Sequence, residues 1–294
     1  MHWNRLVVLL VFATSACAES TDQPAPDPVP KAGVFIESAE PFSTLVEANL
    51  KQWKLPGRLR EISGLALTDD ERLLAVTDED AVVYEIDYQS GALIKSFALG
   101  QPTVRDDFEG ITVNGATVYL ISSTGRIYVT REGNDGERVR YQVYDTGIGK
   151  VCEVEGLTWS RRLETLIIAC KEARSKALKN LVTVYAWSPH EDAPPRTLFA
   201  LDEHALAAAY DEKKFNPSAI AIDATTDTYL LLASRQRAIA RVSSDGRLIA
   251  SARLATAIKH DQAEGLAVTS AGALIIADEG GKGKARLGVY EQHE

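Results

Sequence analysis

The sequence predicts an all-β protein, a single β-propeller of five four-stranded blades. Three observations predict it. A short unit recurs, in which a strand opening with Glu-Gly-Leu or a close variant leads through a small turn into a second apolar strand. The unit begins at Glu61, Glu109, Glu155, Pro217 and Glu264. These starts lie about 46–48 residues apart, except for a longer third-to-fourth step, and short strands at such a period make propeller blades. Finally, the fifth unit runs out after three strands, while a strand at 48–55 precedes the first unit and has no blade of its own. Pairing the two chain ends completes the last blade and removes an exposed edge. Six blades are the alternative, if residues 34–46 or the insertion at 171–214 build another.

The totals agree with one domain. The chain has 294 residues and is 45% hydrophobic, enough for one sizeable core. Each blade needs its neighbours to bury its faces, so the repeat argues against a split. A monomer is expected. The net charge of −9 argues against a nucleic-acid partner, since such proteins carry basic patches. The five histidines show no ligand-type spacing, which disfavours a zinc enzyme.

The first 33 residues read as an address. Arg5 supplies a positive start, and Leu6 to Ala13 is an apolar run too short to span a bilayer. Thr14-Ser15-Ala16-Cys17 resembles a bacterial lipoprotein signal, with Thr14 where Leu is usual. On that reading 1–17 is the signal segment and Cys17 becomes the lipidated first residue. An ordinary signal peptide cut nearby is the alternative. Ala18-Glu19 lacks the Asp signal that retains lipoproteins in the inner membrane, which favours the outer membrane, facing the periplasm. Residues 18–33, with Pro24, Pro26, Pro28 and Pro30, form an extended tether. Residues 34–294 are then the propeller domain, held to the membrane by acyl chains.

The remaining strands follow in order. Blade one continues with 82–87 and 93–99. Blade two has 126–130 and 138–144 around an Asn134-Asp135-Gly136 turn. Blade three has 182–187 and an outer strand near 196–200. Blade four has 238–242, a Ser-Asp-Gly turn and 248–254. Two insertions interrupt the pattern: a basic loop at 172–181, and residues 202–214, where Asp202 is a candidate cap for a short helix.

The repeat concentrates charge at one channel mouth. Inner strands start there, with Glu61, Glu109, Glu155 and Glu264. Second strands end there, with Asp78-Glu79, Lys171-Glu172, Ser234-Arg235 and Asp278-Glu279. Carboxylates crowded around a narrow channel repel one another, and burial adds a desolvation cost. A calcium ion, which accepts six to eight oxygen ligands, would compensate. The expected metal set is Glu61, Glu109, Glu155, Glu264, Asp78 and Asp278. Lys171 and Arg235, with Glu279, form the expected ligand-binding set, suited to a small anionic ligand. In the alternative reading the glutamates only accept hydrogen bonds from neighbouring blades, and the glycines after them let the backbones crowd. Asp78 and Asp278 take matching places in two blades that become neighbours on ring closure. His260, alone near the last Glu unit, reads as a surface residue. Cys152 lies three residues before Glu155, and Cys170 ends the partner strand, so the hairpin predicts a disulfide. No Gly-x-Ser-x-Gly elbow occurs and no cysteine has an obvious histidine partner, so nucleophilic hydrolase chemistry has no support.

Four stretches resemble the SdiA-regulated family of bacterial envelope propellers. They are Asp107-Phe108-Glu109-Gly110-Ile111, Glu155-Gly156-Leu157-Thr158-Trp159, the segment Phe215-Asn216-Pro217-Ser218 through Asp223, and Gln262-Ala263-Glu264-Gly265-Leu266 with Ile276 to Gly280. The resemblance covers about residues 45–294. It implies a propeller, membrane association and a calcium ion near the channel, and no established reaction. The family is also distantly similar to phytase-like and lactonase-like propellers, which use calcium at that mouth. This chain departs from a full carboxylate ring, because blade four carries Ser218 where the others have Glu. Two functions follow as expectations. One is a tethered binding or scaffold module for a small ligand or an envelope protein. The other is a calcium-dependent hydrolase acting on a phosphoester or lactone.

Overall fold

The computed structural model describes residues 49–208, 211–254 and 260–291. The signal segment, the tether and residues 34–48 lie outside that range. The chain enters through β1 (Leu50–Lys54). Blade one follows as β2 (Ile62–Leu67), β3 (Leu73–Thr77), β4 (Val82–Asp87) and β5 (Ala92–Leu99). Blade two is β6 (Phe108–Asn114), β7 (Thr117–Ser122) and β8 (Arg126–Arg131), then, after the short β9 (Arg138–Val139), β10 (Tyr141–Asp145). Blade three is β11 (Cys152–Ser160), β12 (Thr165–Ala173), β13 (Leu181–Trp187) and β14 (Arg196–Asp202). After helix α1 (Glu203–Ala207), blade four is β15 (Ala219–Asp223), β16 (Thr228–Ala233), β17 (Ala238–Ser243) and β18 (Leu248–Arg253). The last blade is β19 (Ala263–Val268), β20 (Leu274–Asp278) and β21 (Arg286–Tyr290), completed by β1. Trp53 lies opposite Leu287 in that antiparallel closure. The ring has five blades.

The second strands explain the packing. Leu-Leu-Ala-Val, Val-Tyr-Leu-Ile and Leu-Ile-Ile-Ala are continuous apolar runs rather than alternating ones, because a middle strand is covered on both faces by neighbouring blades. The hydrophobic side chains gather into clusters at the blade interfaces. Tyr119 and Ile121 of blade two meet Val154 and Leu166 of blade three. Leu55, Leu59 and Ile62 meet Ala277, Leu287 and Val289 across the closure. Each fully buried Leu, Ile or Val contributes about 1.5–3 kcal/mol.

Two details differ from the sequence reading. The single outer strand expected at 138–144 is split. Arg138–Val139 runs parallel to β5 and gives blade one a fifth strand, and only Tyr141–Asp145 pairs with β8. The turn at 134–136 causes this by docking on blade one: Asp135 Oδ1 accepts from the Ser96 amide at 2.9 Å, and the Gly136 amide donates to Ser96 O at 2.8 Å. The expected helix in the second insertion is short. Asp202 caps it, accepting from the Ala205 amide at 3.0 Å. Cys152 and Cys170 form a disulfide with Cα atoms 5.8 Å apart. Closing a loop of about 19 residues contributes about 3 kcal/mol in the chain-entropy model.

The inner strands approach one another at the glycines. A Cβ on Gly110 would sit 2.9 Å from the Leu157 amide nitrogen, and one on Gly64 would sit 2.9 Å from the Gly110 Cα. Gly110→Ala is therefore expected to cost about 1–3 kcal/mol by overpacking and to lower the melting temperature by several degrees. Gly57→Ala, with nothing within 4 Å, should melt like the parent. Calorimetry on the two variants checks this.

Candidate functional site

Cross-strand partners stack the repeats into rings. Leu65, Ile111, Leu157, Ile220 and Leu266 lie opposite Ala75, Leu120, Ile168, Leu231 and Ile276, so the five are equivalent. Counting back two residues gives Ser63, Glu109, Glu155, Ser218 and Glu264. In blades one, two, three and five this residue falls within a register shift of the inner strand. Such a bulge re-aims a side chain, here towards the channel axis.

That register corrects two expectations. Glu61 is not a ring member: Ser63 holds the place. Glu61 instead pairs with Arg60 at 2.5 Å and remains about one-third exposed. Asp278 is not the counterpart of Asp78. It matches Thr77, and Glu279 matches Asp78. Asp278 turns inward, where its Oδ2 is hydrogen-bonded to His260 Nδ1 at 2.7 Å, and His260 Nε2 is bonded to the Tyr290 hydroxyl at 2.7 Å. His260 is thus buried rather than on the surface.

Three ring carboxylates remain, gathered around one cation. Lys171 makes a close ion pair with Glu155 and lies 3.7 Å from Glu153. Burial, together with the charge of Glu155, pushes the Glu109 carboxyl up to about 10. Burial likewise raises Glu155 to about 7, although Lys171 opposes the shift. Glu264 is raised to about 7 by burial, again opposed by Lys171. Burial works against the Lys171 ammonium, but Glu155, Glu109 and Glu264 outweigh it and its pKa rises. A second cluster lies between blades one and five. There Asp78 is pushed up to about 6 by burial and by Glu61 and Glu279. Burial and Glu61 raise Glu279 too. Arg235 is exposed, and its field favours the ionised form of Glu264.

Uncharged residues missing from the candidate set complete this mouth. Asn216 Nδ2 donates to Lys171 O at 3.3 Å and Asn216 Oδ1 accepts from Gln236 Nε2 at 2.9 Å, tying blade three to blade four. The Ser218 hydroxyl donates to Ala263 O at 2.7 Å, reaching blade five. The Phe-Asn-Pro-Ser stretch thus works as a stitch between blades. A calcium site needs six to eight converging oxygens. Among the described residues no group of three or more His, Cys, Asp or Glu side chains is arranged to hold a metal ion. Three of the expected ligands already have partners: Glu61 with Arg60, Glu155 with Lys171 and Asp278 with His260. As arranged here these residues do not converge as a calcium site would require, and the Lys171 ammonium lies among the ring carboxylates.

The Leu65–Leu266 collar narrows the channel. A void of about 10 Å³ remains between it and the carboxylate ring, the lower limit for one water. Beyond the collar, at the opposite mouth, a funnel of about 460 Å³ opens among the inner-strand ends and the turns that follow them. That volume lies in the range of small-molecule pockets. Collar side chains form its floor and Trp159 part of its wall, with Thr112 and Thr158 beside it. Trp159 stacks on Tyr119, ring centres 6.0 Å apart and planes 7° from parallel. At the rim, Arg161 of blade three pairs with Asp69 of blade one, passing over blade two, whose corner is only Gly115-Ala116. Arg162 lies 3.5 Å from Asp227, and Glu71 accepts from the Ser270 amide at 2.6 Å. The rim charges sit in turns that differ between blades, so the repeat carries no signal for them. Adjacent Arg161-Arg162 after an inner-strand Trp was the available clue.

The architecture defines a five-bladed propeller whose channel has a carboxylate–lysine ring at one end and an open funnel at the other. Within that class, the chain belongs to the SdiA-regulated family, whose model matches residues 43–281. Its fold is similar to that of glutaminyl cyclase from Myxococcus xanthus, at 11% identity and a TM-score of 0.50, covering 82% of this chain and 96% of that one. It is also similar to a putative oxidoreductase (glucose dehydrogenase) of Thermus thermophilus, at 13% identity and a TM-score of 0.50, covering 82% and 99%. At such identities the likeness is one of fold alone. No curated protein matches the sequence.

A carboxyl whose pKa is raised on folding holds its proton more tightly in the folded state. The stability it lends is complete below its ordinary value of 4.5 and is lost as pH rises through the folded value. Stability should therefore decline from about pH 4.5 towards pH 10 as Glu155, Glu264 and then Glu109 ionise. Glu109→Gln is expected to flatten the upper part of that decline, seen in urea melts at pH 5, 7 and 9. Lys171→Met should cost about 3–5 kcal/mol at pH 8, as for a broken buried pair, and much less at pH 5 where the carboxyls are protonated. Equal melts for Lys171→Met and the parent at both pH values would refute the ring electrostatics.

Proposed function

We propose that this SdiA-regulated propeller is a membrane-tethered binding module of the bacterial cell envelope, taking its ligand in the funnel rather than at the carboxylate ring. The division of the channel supports the reading. Lys171, the cation expected to attract an anionic ligand, is engaged with Glu155, and the ring behind the collar has room for about one water. The funnel is open, of ligand size, and lined by hydroxyl, apolar and charged groups. The Asp–His pair at Asp278 and His260 is buried and not part of the funnel lining. No observation favours a calcium-dependent hydrolase over this reading. The proposed placement has Cys17 acylated, 18–33 as the tether, and the monomeric propeller facing the periplasm from the outer membrane.

Two measurements test it. Labelled palmitate should enter the parent chain, and Cys17→Ser should lose the label and move from the membrane to the soluble periplasmic fraction. Retention of Cys17→Ser in the membrane would sink the tether. In a fragment screen by NMR on the propeller, hits should shift the Trp159 indole signal. A screen in which no fragment perturbs Trp159 would sink the funnel as the binding site.

A further inference from the structure

The charges at the funnel rim narrow the chemistry of what fits. Asp69, Glu71 and Asp227 face Arg161 and Arg162, and both guanidiniums already have a carboxylate partner. An anionic ligand would meet three carboxylates against two arginines, both engaged. A cationic ligand would meet those two adjacent arginines. A wholly apolar ligand would cover the rim pairs without offering them a hydrogen bond, which is costly for charged groups. Each Arg–Asp pair presents donors and acceptors side by side. A hydroxyl group both donates and accepts, so two neighbouring hydroxyls can donate to the aspartate and accept from the guanidinium without breaking the balance of charge.

The interior continues the same pattern. Thr112 and Thr158 bring hydroxyls to the wall, each an adaptable donor and acceptor, while those of Thr68 and Thr269 hold their own turns by accepting from the Arg72 and Ala273 amides. Below them Leu65, Leu157, Ile220 and Leu266 form an apolar floor, with Trp159 beside it. A pyranose ring has this division, with C–H groups on its faces and hydroxyls around its edge. We infer that the funnel binds a neutral, polyhydroxylated ligand, a mono- or disaccharide unit, held between the Asp69–Arg161 and Asp227–Arg162 pairs at the rim, Trp159 and the threonine hydroxyls on the wall, and the aliphatic collar at the floor. This rests on the funnel being the ligand site. The Asp69–Arg161 pair also acts as a clasp. Its side chains are 63% and 75% exposed, so the pair is weak and opens readily for entry over the short corner of blade two.

The test is calorimetric titration of the propeller with glucose, N-acetylglucosamine and their β-linked dimers, alongside glucuronate and glucosamine as charged counterparts. Trp159 indole shifts locate any binding. At least one neutral sugar should bind with a millimolar or lower Kd and shift Trp159. Arg161→Ala and Asp227→Ala, both rim substitutions, should each weaken it about tenfold or more while leaving the melting temperature unchanged. The inference is overturned if a charged counterpart binds as tightly as its neutral parent, or if both substitutions leave affinity unchanged. It is overturned alone, with the binding-module reading intact, if non-sugar fragments shift Trp159 and no sugar does. If neither sugars nor fragments reach Trp159, both fall together.

Discussion

Ring closure is the constraint on which everything else depends. The faces of each blade are buried only because another blade lies against them, and blade five would present an open edge without Leu50–Lys54 beside Arg286–Tyr290. The apolar cluster at that seam joins Leu55 and Leu59, just after β1, to Leu287 and Val289. Closure also fixes the radius of the channel. The glycines of the inner strands, already within contact distance of the next blade, permit that radius, and any Cβ there would force the blades outward.

A channel so narrow makes its carboxylates expensive. Glu109, Glu155 and Glu264 are brought to one level by strand bulges, Glu155 buried and the other two half-buried, so that solvent screens them poorly. Lys171 arrives from the end of β12 in blade three and is held near all three, its own backbone carbonyl tied to Asn216 of blade four. Positive charge from the chain thus lies among the carboxylates and opposes the burial cost of Glu155 and Glu264. Blades one and four contribute Ser63 and Ser218 instead of glutamate, which keeps the charge low enough for a single lysine to balance.

Much of the architecture is legible in the sequence, because the propeller is written in periodic apolar runs whose limits match the strands to within a residue or two. Ring closure is legible for the same reason, the disulfide because Cys152 and Cys170 fall on partner strands of one hairpin, and the family through specific stretches such as Phe215-Asn216-Pro217-Ser218. The site was less so. Aligning the first unit on Glu61 rather than on Gly64-Leu65 moved its carboxylate two positions out of register. Side chains of the inner strands are placed by a bulge that the sequence does not announce. Asp278 looked like a mouth residue because it ends a strand, yet its partner His260 lies in a loop with no periodic mark. The split of the outer strand of blade two was hidden as well, since it depends on Asp135 finding Ser96 in another blade.

The two mouths therefore differ in kind. At the ring mouth the chemistry sits on repeated positions, and repetition in a closed ring multiplies like charge, so most of the polar capacity there is spent on internal neutralisation. At the funnel mouth the chemistry sits on turns, each free to vary without disturbing the strands behind it. Asp69 and Arg161 take the same place, four residues after the collar leucine, yet carry opposite charges, Asp227 lies further along its own turn, and the pairings cross between non-adjacent as well as adjacent blades. A propeller that binds through its turns can change its ligand while keeping its ring, whereas one that binds through its ring cannot. The exposed pairs and the open volume lie on the side where change costs the fold least.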